Sequence, residues 1–201
     1  MKKIFAAAVL SLLAFQASAE KADSLKQAVV NFDSLDVDEV TQTRILTGNV
    51  VLTRGTLTMK SDKARVVEAA DGYMMVTLTT LPGKMATFRQ KKDGGTDLWV
   101  EGQARRIEYD ERTELTKLFT DASVKNLEGT RLSNQVDGEF ISYDSRKEVA
   151  VVRNDASGDS KVGKGRGTLI LAPRKTAAAA AASAPAPATT PATAPAAAGK
   201  N

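Results

Sequence analysis

The chain contains no cysteine and no histidine. Without cysteine there are no disulfides, so packing and hydrogen bonds must hold any folded domain together. Without histidine the commonest general base and the commonest transition-metal ligand are gone. Aromatic residues make up only 5% of the chain, too few for the interleaved aromatic and basic stripe that single-stranded nucleic acid requires. Lys and Arg are scattered among acidic residues. The net charge is +4, of which Lys2 and Lys3 carry two, so a chain processed after them sits near +2. That mild excess bears on solubility and not on fold. No segment keeps a helical apolar period, and no apolar run reaches the roughly 18 residues of a membrane-spanning helix. There is no G-x-S-x-G motif, and the one S-x-x-K, Ser18 to Lys21, straddles a cleavage-like site.

Both ends differ in composition from the middle. Met1-Lys2-Lys3 is basic, Ile4 to Phe15 is apolar, and Ala17-Ser18-Ala19 is an A-x-A-like cleavage site. Residues 1–19 are therefore expected to be a signal peptide, with the exported chain starting near Glu20. No cysteine follows the site, so a lipoprotein signal is excluded. Residues 175–201 are a run of Ala, Pro and Thr without large apolar side chains. Such a composition cannot offset the entropy of ordering, and a disordered tail is expected. Residues 20–174 remain, enough for one domain.

That domain reads as β throughout. Ile45 to Asp62 (ILTGNVVLTRGTLTMKSD) forms two strands joined at Arg54-Gly55, with Val50 and Leu52, then Leu57 and Met59, on one pleated face. Leu118 to Asn134 repeats the unit more loosely. Ala28 to Phe32, Ser34 to Val40, Asp62 to Glu68, Tyr73 to Thr80, Met85 to Gln90, Leu98 to Val100, Ala104 to Tyr109, Lys147 to Arg153 and Thr168 to Leu171 are the other expected strands, with a short turn near Asp23 to Gln27. Ile107 to Glu114 (IEYDERTE) returns as Ile141 to Glu148 (ISYDSRKE), and Leu35 to Asp38 (LDVD) is a weaker copy. In each, an apolar-x-apolar strand ends at Asp and turns. Repetition of one β unit implies a stacked sandwich, roll or solenoid with an apolar inner face.

Motifs of catalysis do not survive inspection. Gly163 to Gly167 (GKGRG) looks phosphate-loop-like, but it lacks P-loop spacing and leads into a strand, so a linker is the better reading. Asp36, Asp38 and Glu39 fall outward beside a turn, where solvated charge is expected. Asp155 to Asp159 (DASGD) reads as an Asx-type loop rather than a calcium site. No catalytic residue, metal ligand or cofactor site is assigned. The interior is mainly aliphatic and Met with few rings, which suits variable apolar contacts. Three readings follow: a lipid-holding groove, a structural β-domain serving as an envelope scaffold or adaptor without cargo, and a polysaccharide-acting enzyme. The last needs a carboxylate pair on an inner face, and none is found.

Several stretches, in order, resemble one known family. Leu46 to Leu57 (LTGNVVLTRGTL) with Lys60 to Asp62, Pro82 to Gln90 (PGKMATFRQ), and Glu101 to Ala104 (EGQA) with Ile107 to Tyr109 (IEY) resemble the LptA, or OstA-like, family of periplasmic lipopolysaccharide-transport proteins. The likeness spans about Val29 to Val152. The chain departs from the pattern at Pro82, which precedes its Gly, and at Thr120 to Ala122 (TDA), where the Gly and Asn of the second T-G-N-A element are missing. The resemblance implies an all-β antiparallel jelly-roll, folded like a taco around an apolar groove that holds lipid acyl chains. It implies lipopolysaccharide as cargo, with no covalent chemistry. It also implies head-to-tail assembly by strand addition between an inner-membrane LptC-like anchor and an outer-membrane LptD-like translocon. With the period-two pattern, the expected groove residues are Val30, Phe32 and Val37; Val50, Leu52, Leu57 and Met59; Val66, Val76 and Leu78; Phe88 and Val100; Ile107, Tyr109, Val124 and Leu132; and Ile141 and Tyr143. The expected open edges are Ala28, Val30 and Phe32 at one end, and Val149, Val151, Leu169 and Leu171 at the other.

Overall fold

The computed structural model describes Asp23, residues 25–95 and residues 97–173. The expected signal peptide and tail lie outside the described residues. Asp23 opens a short turn, with the Lys26 amide donating to its carbonyl at 3.0 Å. Twelve strands follow: β1 (Ala28–Asn31), β2 (Ser34–Asp38), β3 (Thr43–Arg54), β4 (Leu57–Glu68), β5 (Met74–Thr79), β6 (Ala86–Lys91), β7 (Leu98–Ala104), β8 (Arg106–Asp110), β9 (Leu115–Glu128), β10 (Arg131–Asp144), β11 (Val149–Arg153) and β12 (Thr168–Leu171). The second strand stops at Asp38, short of Val40. The expected strands Leu57–Met59 and Asp62–Glu68 are one, and the expected Ala104–Tyr109 strand is split at Arg105.

All pairings are antiparallel, and they reduce to eight bent strands in chain order. The long strands β3, β4, β9 and β10 are each bent in the middle. β1 and β2 pair with the two halves of β3, and β11 and β12 with the two halves of β10. β5 and β6 pair with the two halves of β4, and β7 and β8 with those of β9. The sheet is thus an up-and-down meander folded across its strands into two layers. One layer holds β2, β5, β8 and β11 with half of each long strand, and the other holds β1, β6, β7 and β12 with the remaining halves.

Local chemistry sets the bends and tips. β3 bends at Gly48-Asn49, whose φ angles are 82° and 44°, and β9 bends at Thr120-Asp121, at 64° and 52°. The T-D-A departure therefore keeps the geometry of T-G-N, in a region that β-branched residues rarely enter. Arg105 holds this second bend, pairing Nε with Asp121 Oδ2 at 2.9 Å and donating its amide to Thr120 O at 3.1 Å. The repeated sequence is the tip of the β2/β5/β8/β11 layer. Asp38 and Asp110 accept hydrogen bonds from the amides two and three residues on, and Asp144 from that of Lys147. Each turn ends in a left-handed residue: Gln42, Glu114 and Glu148. A polar side chain bonded to its own turn is the usual device for such a reversal.

Candidate functional site

Register partners across the sheet share a face, so the inner surface can be traced strand by strand. In one layer the row runs Leu35, Leu46, Ala64, Leu78, Ile107, Leu118, Ile141, Val152. In the other it runs Val30, Leu52, Met59, Phe88, Gly102, Val124, Val136, Leu169. Each row crosses all eight bent strands without a break and carries no charge. The two face each other to form an apolar strip perpendicular to the strands.

Burial along the strip is uneven. Leu78, Ile107, Leu118 and Ile141 in the middle are wholly enclosed, whereas Leu35 at one end is 41% exposed and Leu169 at the other 60%. Phe88 lies over Gly102, where a Cβ would fall 2.1 Å from its ring. Its ring also stacks on Tyr143 from the opposite layer at 6.3 Å between centroids. The interior is therefore close-packed in the centre and open at both ends.

The mouth, where the tips of the two layers meet, is polar. Arg54 pairs with Glu111 across the layers, both side chains only 10% exposed. Arg54 Nε also donates to Lys26 O at 3.0 Å, and Glu111 Oε2 accepts the Met74 amide at 2.8 Å. Lys92 and Glu148 make a second crossing at 2.9 Å. Tyr109 sits beneath this latch, and burial pushes its hydroxyl up to about 12 against the opposing pull of Arg54.

Of the expected groove residues, Val50, Leu52, Leu57, Met59, Val66, Val76, Leu78, Phe88, Val100, Ile107, Tyr109, Val124, Ile141 and Tyr143 lie together in the buried interior, with Val30 packed against it. Three do not. Leu132 pairs with Leu127, because a register shift between Leu132 and Asn134 turns it to the outer face. Phe32 falls in the bend between β1 and β2 and is 38% exposed. Val37 sits opposite Arg44 on the inner side, but no strand lies beyond it and it stays exposed. Among the expected edge residues, Ala28 and Val30 are half-buried, Leu169 and Leu171 are exposed on the inner face, and Val149 and Val151 point outward. Sequence reasoning missed Leu46, Ala64, Ala86, Ala104, Leu118 and Ala122, which are buried. Their period-two spacing was the available signal, obscured by the small size of Ala. The Arg54–Glu111 latch had no signal at all. Asp155 is engaged by the Ser157 amide at 3.0 Å and by Lys161 at 3.2 Å, the Asx-type loop expected there.

An open, folded meander with a continuous apolar strip defines a class of groove protein, distinct from a closed barrel in keeping two free edges. The profile of the family described as "LptA/(LptD N-terminal domain) LPS transport protein" matches residues 30–149. Lipopolysaccharide export system protein LptA of Haemophilus influenzae is 28% identical over 177 residues, covering 88% of this chain and 95% of that protein. Its namesake from Escherichia coli strain K12 is 30% identical over 105 residues, 48% of each chain. The crystal structure of LptH, the LptA homologous periplasmic component of the lipopolysaccharide transport device of Pseudomonas aeruginosa, superposes with a TM-score of 0.65 at 20% identity. It covers 75% of this chain and 99% of that one. The chain belongs to the LptA/LptD N-terminal-domain family of lipopolysaccharide transport proteins.

Proposed function

We propose that this protein is a periplasmic carrier that takes lipopolysaccharide acyl chains into the strip between its two layers and forms part of a bridge from inner to outer membrane. The observation that carries the reading is the uncharged strip of Leu, Ile, Val and Met running through every strand and ending in exposed apolar residues. Each acyl CH₂ withdrawn from water is worth about 0.8 kcal/mol, so a multi-chain lipid does not cross an aqueous space unescorted. A strip that continues from one copy to the next makes successive positions nearly equal in energy, and the driving work comes from outside the protein. The free edges would add strands head to tail, and would dock an LptC-like anchor at one membrane and an LptD-like translocon at the other. The reading involves no covalent step, cofactor, metal or nucleic acid.

The test is photo-crosslinking with lipopolysaccharide present. Crosslinkers at Leu52, Phe88 and Tyr143 are expected to capture the lipid, and those at the outward neighbours Thr53, Arg89 and Ser142 are not. Equal capture at both sets ends the groove reading. Packing of the central strands favours a second reading, an envelope scaffold or adaptor without cargo, for which no position captures lipid.

A further inference from the structure

At the C-terminal end of the strip, a cleft of about 700 Å³ opens beside β10. Val136, Val152 and Leu169, the last inner residues of the two rows, line it. The loop from Asn154 to Gly167 passes along it. Asn154 and Lys161 close the base of that loop with reciprocal 2.8 Å hydrogen bonds. Gly167 lies close on the floor: a Cβ there would fall 3.2 Å from Asp137 O and 3.4 Å from Val152. Arg153 and Arg166, on either side of the loop, both line the cleft.

Among the described residues, neither of these arginines is held in an ion pair, although both border the apolar end of the strip. Elsewhere on the molecule Arg44 pairs with Glu68, Arg54 with Glu111 and Lys92 with Glu148. Within the loop, Lys161 and Lys164 share Asp155. Among the described residues, Arg153 donates to its neighbour, the Val152 carbonyl, at 3.0 Å. Neither Arg153 nor Arg166 has a carboxylate partner among the described residues. Arg166 also borders an adjoining hollow with Asp121, Asp137 and Glu139 without pairing to them, and two guanidiniums outside any ion pair beside an apolar floor match a ligand with acyl chains and an anionic head. Arg forks suit phosphate in particular, giving charge-assisted paired hydrogen bonds.

We propose that Arg153 and Arg166 form the phosphate-binding rim of the groove, holding the headgroup phosphate of an acylated, phosphorylated glycolipid while its chains lie on Val136, Val152 and Leu169. The proposal rests on the carrier reading above and adds the site and sign of headgroup recognition. The GKGRG segment thus serves anion binding through an arginine side chain, and not through the backbone cradle of a phosphate loop.

The test titrates the full chain with bis-phosphorylated lipid A and with the same acylated disaccharide lacking phosphate. It compares wild type, Arg153→Gln/Arg166→Gln and Arg153→Lys/Arg166→Lys, with thermal melts as folding controls. Wild type is expected to prefer the phosphorylated lipid by about ten-fold or more. The Gln pair abolishes that preference while leaving affinity for the phosphate-free lipid unchanged, and the Lys pair restores part of it. Millimolar inorganic phosphate leaves the lipid bound, since it lacks the apolar contact; displacement by it reduces the site to a simple anion site and overturns the proposal. An undiminished preference in the Gln pair also overturns it, while the carrier reading stands. Loss of self-association in the Gln pair with lipid affinity intact assigns the arginines to a second copy instead. Failure of wild type to bind either lipid removes the carrier reading and this proposal with it.

Discussion

Arg54, Glu111 and Tyr109 show how a few polar side chains govern an apolar groove. The Arg54–Glu111 pair is desolvated on both sides, so its net contribution is small, but loss of one partner strands a buried charge. Arg54→Met is expected to lower unfolding free energy by about 3–5 kcal/mol. The double variant Arg54→Met/Glu111→Leu should recover most of that loss, measured by urea denaturation. If the single and double variants are equally destabilised, the pair is not a coupled latch. Tyr109 gives a pH signature. Its hydroxyl ionises near 12 in the folded protein, against about 10 in an unfolded chain. The folded state holds this proton more tightly, so the resulting stability is complete below about pH 10 and is lost as pH climbs towards 12. Tyr109→Phe should remove a step near pH 12 from the tyrosinate absorbance titration.

The recurring elements are bends and tips, and their sequences are legible to different degrees. The strands and the Asp-led tips could be read from period two and from the 107–114 and 141–148 repeat. The carboxyls of Asp38 and Asp144 lie below the usual range, held chiefly by Thr41 and Lys147. A depressed carboxyl stabilises the fold above the unfolded value of about 4, and that stability is lost as pH falls through the folded value. Asp38→Asn/Asp144→Asn should therefore flatten the decline in melting temperature on acidification from neutrality. The bends were less legible because inward positions change parity there. In β4 they pass from Leu57 and Met59 to Ala64 and Val66, and in β10 from Val136 to Ile141. Strict alternation cannot register such a step, which is why Phe32 was misplaced at its bend, and Leu132 was misplaced by the separate register shift between Leu132 and Asn134. At Thr120 the bend carries no glycine to announce it. Thr there is strained, so Thr120→Gly is expected to raise unfolding free energy by about 0.5–1 kcal/mol, a gain limited by the added freedom of the unfolded chain. Gly48→Thr at the equivalent bend should cost more, because Asp33 Oδ2 lies 2.1 Å from where its Cβ would be. A stabilising Gly48→Thr would show that the two bends are not equivalent.

On the scale of the whole molecule, the meander has a beginning and an end that do not meet. Among the described residues, β1 and β2 pair only with β3, and β11 and β12 only with β10. Their outer backbone groups are free to pair with another chain. Leu35 and Val37 on one edge, and Leu169 and Leu171 on the other, continue the inner face without cover. Joining the first edge of one copy to the last edge of the next would extend both the sheet and the apolar strip. The two edges are different surfaces, so the contact is heterologous and propagates unless its rotation closes a ring. Sedimentation velocity should accordingly show oligomers that grow with concentration. An inward-pointing charge at an edge opposes pairing, so Val37→Lys should block one edge and Leu169→Lys the other, each giving a monomer at concentrations where wild type assembles. The decisive measurement mixes the two. Each variant retains one good edge, and these are complementary, so a one-to-one dimer forms and nothing larger. If the mixture stays monomeric, or if either variant alone still dimerises, the joint is not head to tail and the bridge cannot be built from these edges.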